Sequence, residues 1–328
     1  SPVEHNIADL LKNRLQEIPN IQVSLQTETK ELQSNPSELQ ILLGTPGHHS
    51  LLNAQFKKLR IPKLSTLAPG PEGFLLQSVD GPNSLNLIAA GFDERGCLYA
   101  VGEILRQLVY KEGQLALPKN LNIRTAPAFE IRGTQIGQSN VAKKLAQVRD
   151  WTEEETQRAL LDYALAGANI FAAADDTMYQ FIKSYGLMTQ TKFGANTAGA
   201  KVPREWNAFE SIGRSGYVCL SVSEARDYML KKCNEHFKDS QFYDLIEFYG
   251  GDGGGCECDN CNPYGLTFIK LVEEMATIIH KYHPESRIYF TNQKFDNEDD
   301  NAIFQYLQEK PRSWLWAWGY GPGSDATT

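Results

Sequence analysis

The chain has 328 residues, 41% of them hydrophobic and 22% charged, with a net charge of −8 and a pI near 5.4. That is the balance of a folded globular protein of two domains or one large one, and it excludes intrinsic disorder. An acidic chain without a Lys/Arg run disfavours nucleic acid and anionic membranes as partners, and no apolar run nears the ~18 residues of a membrane span.

The pattern of the first ~125 residues predicts a small α+β domain. Leu10 to Ile18 reads as a helix, and Ile21 to Leu25 and Leu39 to Leu43 as strands. The turn cluster Gly44-Thr45-Pro46-Gly47 precedes a short helix from Ser50 to Leu59. Two strands follow, Gly73 to Ser78 and Asn86 to Ala90. A strongly amphipathic helix then spans Cys97 to Leu108, with Leu98, Val101, Ile104, Leu105 and Leu108 on one stripe. Pro118 to Pro127 reads as a linker.

Beyond it, short apolar strands alternate with helices. Strands are predicted at Phe129 to Thr134, Asn169 to Ala174, Tyr185 to Gln190, Leu245 to Tyr249, Arg287 to Gln293 and Ser313 to Gly319. Helices are predicted at Glu153 to Leu165, Met178 to Ser184, Ser223 to Phe237, Leu266 to Tyr282 and Asn301 to Gln308. Thr152 and Glu155 have capping-box spacing, and Ser223 reads as an N-cap. A long loop runs from about Lys192 to Val218. Six βα units point to a parallel α/β fold, and a (β/α) TIM-type barrel would need about two more. The expected organisation is therefore an α+β domain over 1–125 and an apparently incomplete barrel over 126–328.

The densest chemistry lies in Leu245-Ile-Glu-Phe-Tyr-Gly-Gly-Asp252-Gly-Gly-Gly-Cys256-Glu-Cys258-Asp-Asn-Cys261. An apolar strand ends in glycines that let a ligand approach the backbone, and Asp252 sits among them. A carboxylate at a barrel strand's C-terminal end faces the active-site mouth, while an Asp in a glycine-rich turn can simply accept backbone amides. Three cysteines at C-x-C-x-x-C spacing suit a tetrahedral Zn²⁺ with Cys219 as a fourth ligand; one disulfide plus free thiols is the rival. Such a zinc would be structural. Cys233, mid-helix, reads as a buried thiol, and no histidine pair has metal-binding spacing.

These motifs, in their order, resemble a family. Ile41-Leu-Leu-Gly-Thr-Pro46, Gly73-Phe-Leu-Leu-Gln77 and Gly91-Phe-Asp-Glu-Arg-Gly-Cys-Leu-Tyr-Ala-Val-Gly102 are similar to the accessory domain that precedes the barrel in several glycoside hydrolases. Among these are the family 20 β-hexosaminidases, the family 84 enzymes and the α-glucuronidases. Pro127-Ala-Phe-Glu-Ile-Arg-Gly133 resembles the first barrel strand of family 20, and Phe248-Tyr-Gly-Gly-Asp252 resembles its fourth-strand motif His-x-Gly-Gly-Asp-Glu. The resemblance implies hydrolysis of a glycosidic bond, in an N-acetylhexosaminide or a uronide, without an organic cofactor. It implies that Asp252 orients the substrate's acetamido group, that Arg132 clamps sugar hydroxyls, and that the protein is periplasmic or secreted. The sequence departs from the family at two positions. Phe248 replaces the His, and Gly253 stands where the general-acid Glu belongs. A carbohydrate-binding relative without catalysis is therefore the alternative.

Glycoside hydrolysis normally uses two carboxyl groups about 5–9 Å apart. Asp175, ending the second predicted strand, is the leading partner for Asp252. Asp176 either caps the following helix or joins the site. Arg132 and Glu247 lie in apolar strands and each needs a partner: Arg132 makes a sugar clamp or an internal ion pair, and Glu247 pairs with Arg132 or acts on substrate. Asn292 and Gln293 are candidate hydroxyl ligands. Trp314, Trp316, Trp318 and Tyr320 alternate and should share one face, with Trp318 and Tyr320 nearest the substrate.

Overall fold

The computed structural model describes the chain except for residues 27–38, 81–84, 112–113, 134–150, 199–201, 209–215, 250–254, 293–294 and 320–328, and the backbone alone at 80, 85, 111, 114 and 317–319. Two compact units are present, Ser1–Met188 and Thr189–Thr328. The elements form a mixed α/β fold.

The first unit is built on strands β1 (Gln40–Gly44), β2 (Phe74–Asp80), β3 (Leu85–Gly91) and β6 (Asn122–Thr125), in the order β1-β3-β2-β6. β1 and β3 are parallel, and β2 is antiparallel to both its neighbours. A short hairpin, β4 (Val109–Lys111) and β5 (Gln114–Ala116), precedes β6. Residues in strands alternate between faces, so β3 serves two cores. Leu87 and Ala89 pack with helices α1 (Pro2–Gln16) and α3 (Glu94–Gln107), whereas Ile88 and Ala90 pack with α2 (Ser50–Lys58).

The α1/α3 core also takes in α4 (Glu153–Leu165), β7 (Ile170–Ala172) and α5 (Asp176–Ser184), through Leu160, Leu161, Leu165, Phe171 and Ile182. Helix α3 meets α4 so closely that a Cβ at Gly102 would lie 2.0 Å from the Leu165 carbonyl oxygen. Gly102, part of the motif that carries the family resemblance, thus has a packing reason.

The second unit holds parallel strands β8 (Met188–Gly194, which begins in the first unit), β9 (Leu245–Tyr249), β10 (Arg287–Thr291) and β11 (Leu315–Gly319). They run in the order β11-β10-β9-β8. Helices α6 (Ser223–Lys238), α7 (Tyr264–Tyr282) and α8 (Asn297–Glu309) connect them. One face of the strands, with Phe193, Ile246, Phe248, Ile288 and Phe290, packs on Phe237, Phe268, Met275 and Ile303 of the helices. Buried on both sides, β9 reads as a near-continuous apolar run.

Several predicted elements shift. Residues 21–26 form no strand. The expected linker contains β6, because its Asn122 to Thr125 backbone pairs with β2. The expected strand at 129–134 is reduced, among its described residues, to one bridge from Gly133 to Ile170. β8 starts at Met188 rather than Tyr185, since Gly186 at φ +70° lies in the turn that ends α5 and Leu187 N–H still donates to the Ile182 carbonyl. Helix α6 is preceded by Val222 as N-cap, and the Ser223 hydroxyl bonds Glu224 instead. Among the described residues the strands do not close into a barrel.

Candidate functional site

Asp252 and the Gly253 that follows it lie outside the described residues, as do Gln293 and Tyr320. Of Trp318 the backbone alone is described.

Asp175 is the N-cap of α5. Its carboxylate accepts the Met178 N–H at 2.8 Å, and its backbone is extended (φ −156°, ψ 178°). Asp176 is the first helical residue. The expected division, with Asp176 capping and Asp175 free, is thereby reversed. The cause is local: β7 ends at Ala172, and the helix starts at Asp176, two residues before the predicted Met178. Both carboxylates are exposed.

Arg132 makes the ion pair that was one of its two expected roles, but with Glu72 rather than Glu247. Its Nε donates to the Gly167 carbonyl at 2.6 Å, Nη1 to the Phe129 and Glu130 carbonyls, and Nη2 to Glu72 and to the Tyr99 hydroxyl. A guanidinium has five N–H donors, and all five are engaged within the protein. Glu72 is buried. It also accepts Arg95 Nε at 2.9 Å and the Asn169 amide at 3.0 Å. Burial, and then the Glu72 charge, push the Tyr99 hydroxyl up. This network sits at the start of β7, where Arg132 N–H donates to Asn169 Oδ1. Asp175 follows the end of β7, so the two candidates flank opposite ends of one strand. A cleft of about 460 Å³ lies on the Arg132 side, lined by Tyr99, Glu103, Arg106, Arg132 and Tyr163 among others.

In the second unit, Glu247 lies on the face of β9 turned away from the helices. It is in register with Lys192 of β8 and Tyr289 of β10. Its Oε2 accepts Tyr289 Oη at 2.7 Å, Lys192 Nζ at 3.1 Å and Gln190 Nε2 at 3.2 Å. Burial, then the neighbouring Glu247 charge, raise the Tyr289 hydroxyl. A buried carboxylate is stable here because a row of partners surrounds it. Sequence reasoning missed Lys192 and Tyr289. The period-two spacing of Gln190 and Lys192 was the available signal.

Asn292 is buried at the end of β10. Its amide nitrogen donates to both Asp300 oxygens, at 3.0 and 2.9 Å, and its own Oδ1 has no partner among the described residues. Burial raises the Asp300 carboxyl. Of the tryptophan run, the side chains of Trp314 and Trp316 are described. A bulge between Ile288 and Tyr289 shifts the register, so Leu315 pairs with Ile288, Ala317 with Tyr289 and Trp318 with Phe290. Trp316 is left under Arg287, whose guanidinium carbon is 5.5 Å from its ring centre.

The structure brings Cys219, Cys256, Cys258 and Cys261 together, with all four sulfurs within 4.8 Å of one another. Cys219 Sγ is 3.7 Å from both Cys258 Sγ and Cys261 Sγ. All four are free thiols, and three are buried. Burial raises the Cys219 thiol; the Cys256 hydrogen bond, then burial, raise that of Cys261. Gly255, at φ +106°, leads into the turn pressed against the Tyr264 ring, where a Cβ would come within 2.3 Å. Cys233 is buried in α6 as expected, its thiol pushed up to about 12 by burial.

With this geometry in hand, the chain can be set beside known proteins. No family model matches the sequence, and no curated protein matches it. A solved structure does: the GH20 exo-β-N-acetylglucosaminidase of Vibrio harveyi, crystallised as an inactive mutant, with a TM-score of 0.51 and 11% identity. The match covers 94% of this chain and 55% of that one, so the chain spans about half of that enzyme's length. The likeness is one of fold, and the fold of this chain is glycoside hydrolase-like. No helix of the described residues is long and apolar enough to cross a membrane.

Proposed function

We propose that this protein is a glycoside hydrolase, with an accessory α+β domain over 1–125 and a (β/α) barrel over 126–328, acting on an N-acetylhexosaminide or a uronide outside the cytoplasm. The observation that carries this reading is the fold likeness to a GH20 exo-β-N-acetylglucosaminidase over 94% of the chain, combined with a Gly-Gly-Asp that follows strand β9. In this reading Asp252 is the carboxylate that orients or activates the substrate, Asp175 its partner, and the face of β8 to β10 that bears Glu247 lines the barrel interior. Bond cleavage proceeds through an oxocarbenium-like transition state. The four cysteines take no part in the chemistry; a structural metal ion braces them.

Two observations favour a second reading, in which carbohydrate is bound and not cleaved. Gly253 replaces the general acid of the family motif, and Asp175 is engaged as a helix cap. Assay of the protein against aryl glycosides, N-acetylglucosaminide and glucuronide included, decides between the two. The hydrolase reading expects turnover that Asp252→Ala abolishes. Binding of the sugar without release of the aryl group, weakened by Asp252→Ala, establishes the second reading and sinks the first.

A further inference from the structure

Four sulfurs converge in the second unit from two stretches of chain far apart in sequence. Cys219 lies in the segment that leads into α6, held by its N–H to the Trp206 carbonyl at 2.7 Å. Cys256, Cys258 and Cys261 lie between β9 and α7. There the Cys258 carbonyl accepts the N–H groups of Cys261 at 2.9 Å and Asn262 at 3.2 Å, closing a tight turn. The remaining two cysteines, Cys97 and Cys233, are buried elsewhere.

The spacing discriminates between chemistries. A disulfide needs sulfurs about 2.05 Å apart. A tetrahedron with Zn–S bonds of about 2.3 Å has S···S edges of about 3.8 Å. The two distances from Cys219 are both 3.7 Å. Ser221 adds a feature that a thiol cluster has no need of: its Oγ lies 3.0 Å from Cys219 Sγ and 3.6 Å from Cys258 Sγ. A hydroxyl at that position can donate to a metal-bound thiolate, which offsets the charge four thiolates bring and fixes their orientation.

We propose that Cys219, Cys256, Cys258 and Cys261 bind one Zn²⁺ as four thiolates in a closed tetrahedral site, with Ser221 as a hydrogen-bond donor to the sulfurs. Binding exchanges four thiol protons for the ion and involves no redox step. Four sulfur ligands leave no open position for substrate or water, so the site is structural. It cross-links the 219–221 segment to the 256–261 turn and so fixes the start of α6 against the start of α7. The site stands on its own distances. Only its service as a brace beside the segment carrying Asp252 rests on the hydrolase reading.

The test is made on the full chain purified without chelator, by elemental analysis and thiol titration. One zinc per chain is expected, with all six cysteines recovered as free thiols after denaturation in chelator. Cobalt added to the chelated wild-type protein should give the thiolate-to-cobalt charge-transfer and tetrahedral ligand-field bands of a four-sulfur site. Cys258→Ser should lose the zinc, whereas Cys233→Ala should keep it. Ser221→Ala should lower zinc affinity about tenfold in chelator competition while preserving the cobalt spectrum. If Cys258→Ser does not fold, re-addition of zinc to chelated wild type gives the same answer. Protein that carries no zinc and takes up none, or cysteines recovered as disulfides, overturns the proposal. Zinc in a protein that cleaves no glycoside sinks the hydrolase reading alone, and cleavage by a metal-free protein sinks the zinc site alone.

Discussion

Removing the Glu72 carboxylate should destabilise the first unit by about 3 kcal/mol. Glu72 is 7% exposed and is the acceptor on which Arg132, Arg95 and Asn169 converge. Taking one partner from a buried ion pair destabilises by about 3–5 kcal/mol, because the opposite charge stays buried without compensation. The Asn169 amide is fully buried and loses an acceptor as well, although it keeps the Glu130 carbonyl at 2.6 Å. The side chains of Arg132 and Arg95 remain 19% and 27% exposed, so water recovers part of the loss, which places Glu72→Ala at the low end. Glu72 has φ +57°, a strain shared by Glu and Ala, so it cancels from the difference. Glu72→Gln keeps the shape and one acceptor but turns an amide donor toward a guanidinium, for a loss of about 2 kcal/mol.

The assay is urea and thermal denaturation of the full chain followed by circular dichroism. Hydrogen exchange at the Arg132 amide, which donates to Asn169, localises the effect. At roughly 2–4 °C per kcal/mol for a unit of this size, Glu72→Ala should lower Tm by about 6–12 °C. Paired with Arg132→Met it should lose less than the sum of the single variants, by more than about 1 kcal/mol. A loss below about 1 kcal/mol for Glu72→Ala, or strict additivity, would refute the claim that Arg132 serves the structure through Glu72.

Asp175→Ala should cost about 1 kcal/mol by removing a helix cap, while Asp175→Asn, an equally good cap, should leave stability unchanged. If Asp175 is also a catalytic carboxylate, Asp175→Asn abolishes aryl glycoside cleavage in a fully stable protein. Gly102→Ala should destabilise by about 3 kcal/mol or prevent folding, since the new methyl meets the Leu165 carbonyl at 2.0 Å; a stable variant refutes the α3–α4 contact. Glu273 is depressed: burial opposes this, but hydrogen bonds from Tyr306 at 2.5 Å and from Arg312 outweigh it. Its contribution is present above the unfolded value of roughly 4.3 and is lost as pH falls below that through the folded value. After solvent screening that amounts to at most about 1 kcal/mol, and in acid titrations of stability Glu273→Gln should lack this component. If the proposed zinc is bound, a chelator should lower the unfolding temperature of wild type and leave that of Cys219→Ser unaffected.

Local chemistry made much of this protein legible in its sequence. The Thr152/Glu155 capping box appears as its spacing required, with Thr152 N–H donating to Glu155 and Glu155 N–H to Thr152. The apolar stripe of α3, the turn at Gly44 to Gly47 and the close cysteine triplet were equally readable, because each depends on residues within one or two turns of chain. The boundaries of β7 and β8 were not, since a strand ends where its partner's hydrogen bonds end. The register shift between β10 and β11 was hidden for the same reason: a bulge is a property of the pair.

Tertiary structure alone decided the partners. Arg132 announced by its apolar setting that it needed an anion, and the sequence offered Glu247. The chain delivers Glu72, 60 residues away, while Glu247 is satisfied by Lys192 and Tyr289 on adjacent strands. Cys219 lies 37 or more residues before the cysteine triplet, and only the fold sets it 3.7 Å from Cys258 and Cys261. A buried charge or thiol states its need in composition and pattern. Which group meets that need depends on loops that close only when the whole core packs, so distance along the chain carries no information about it.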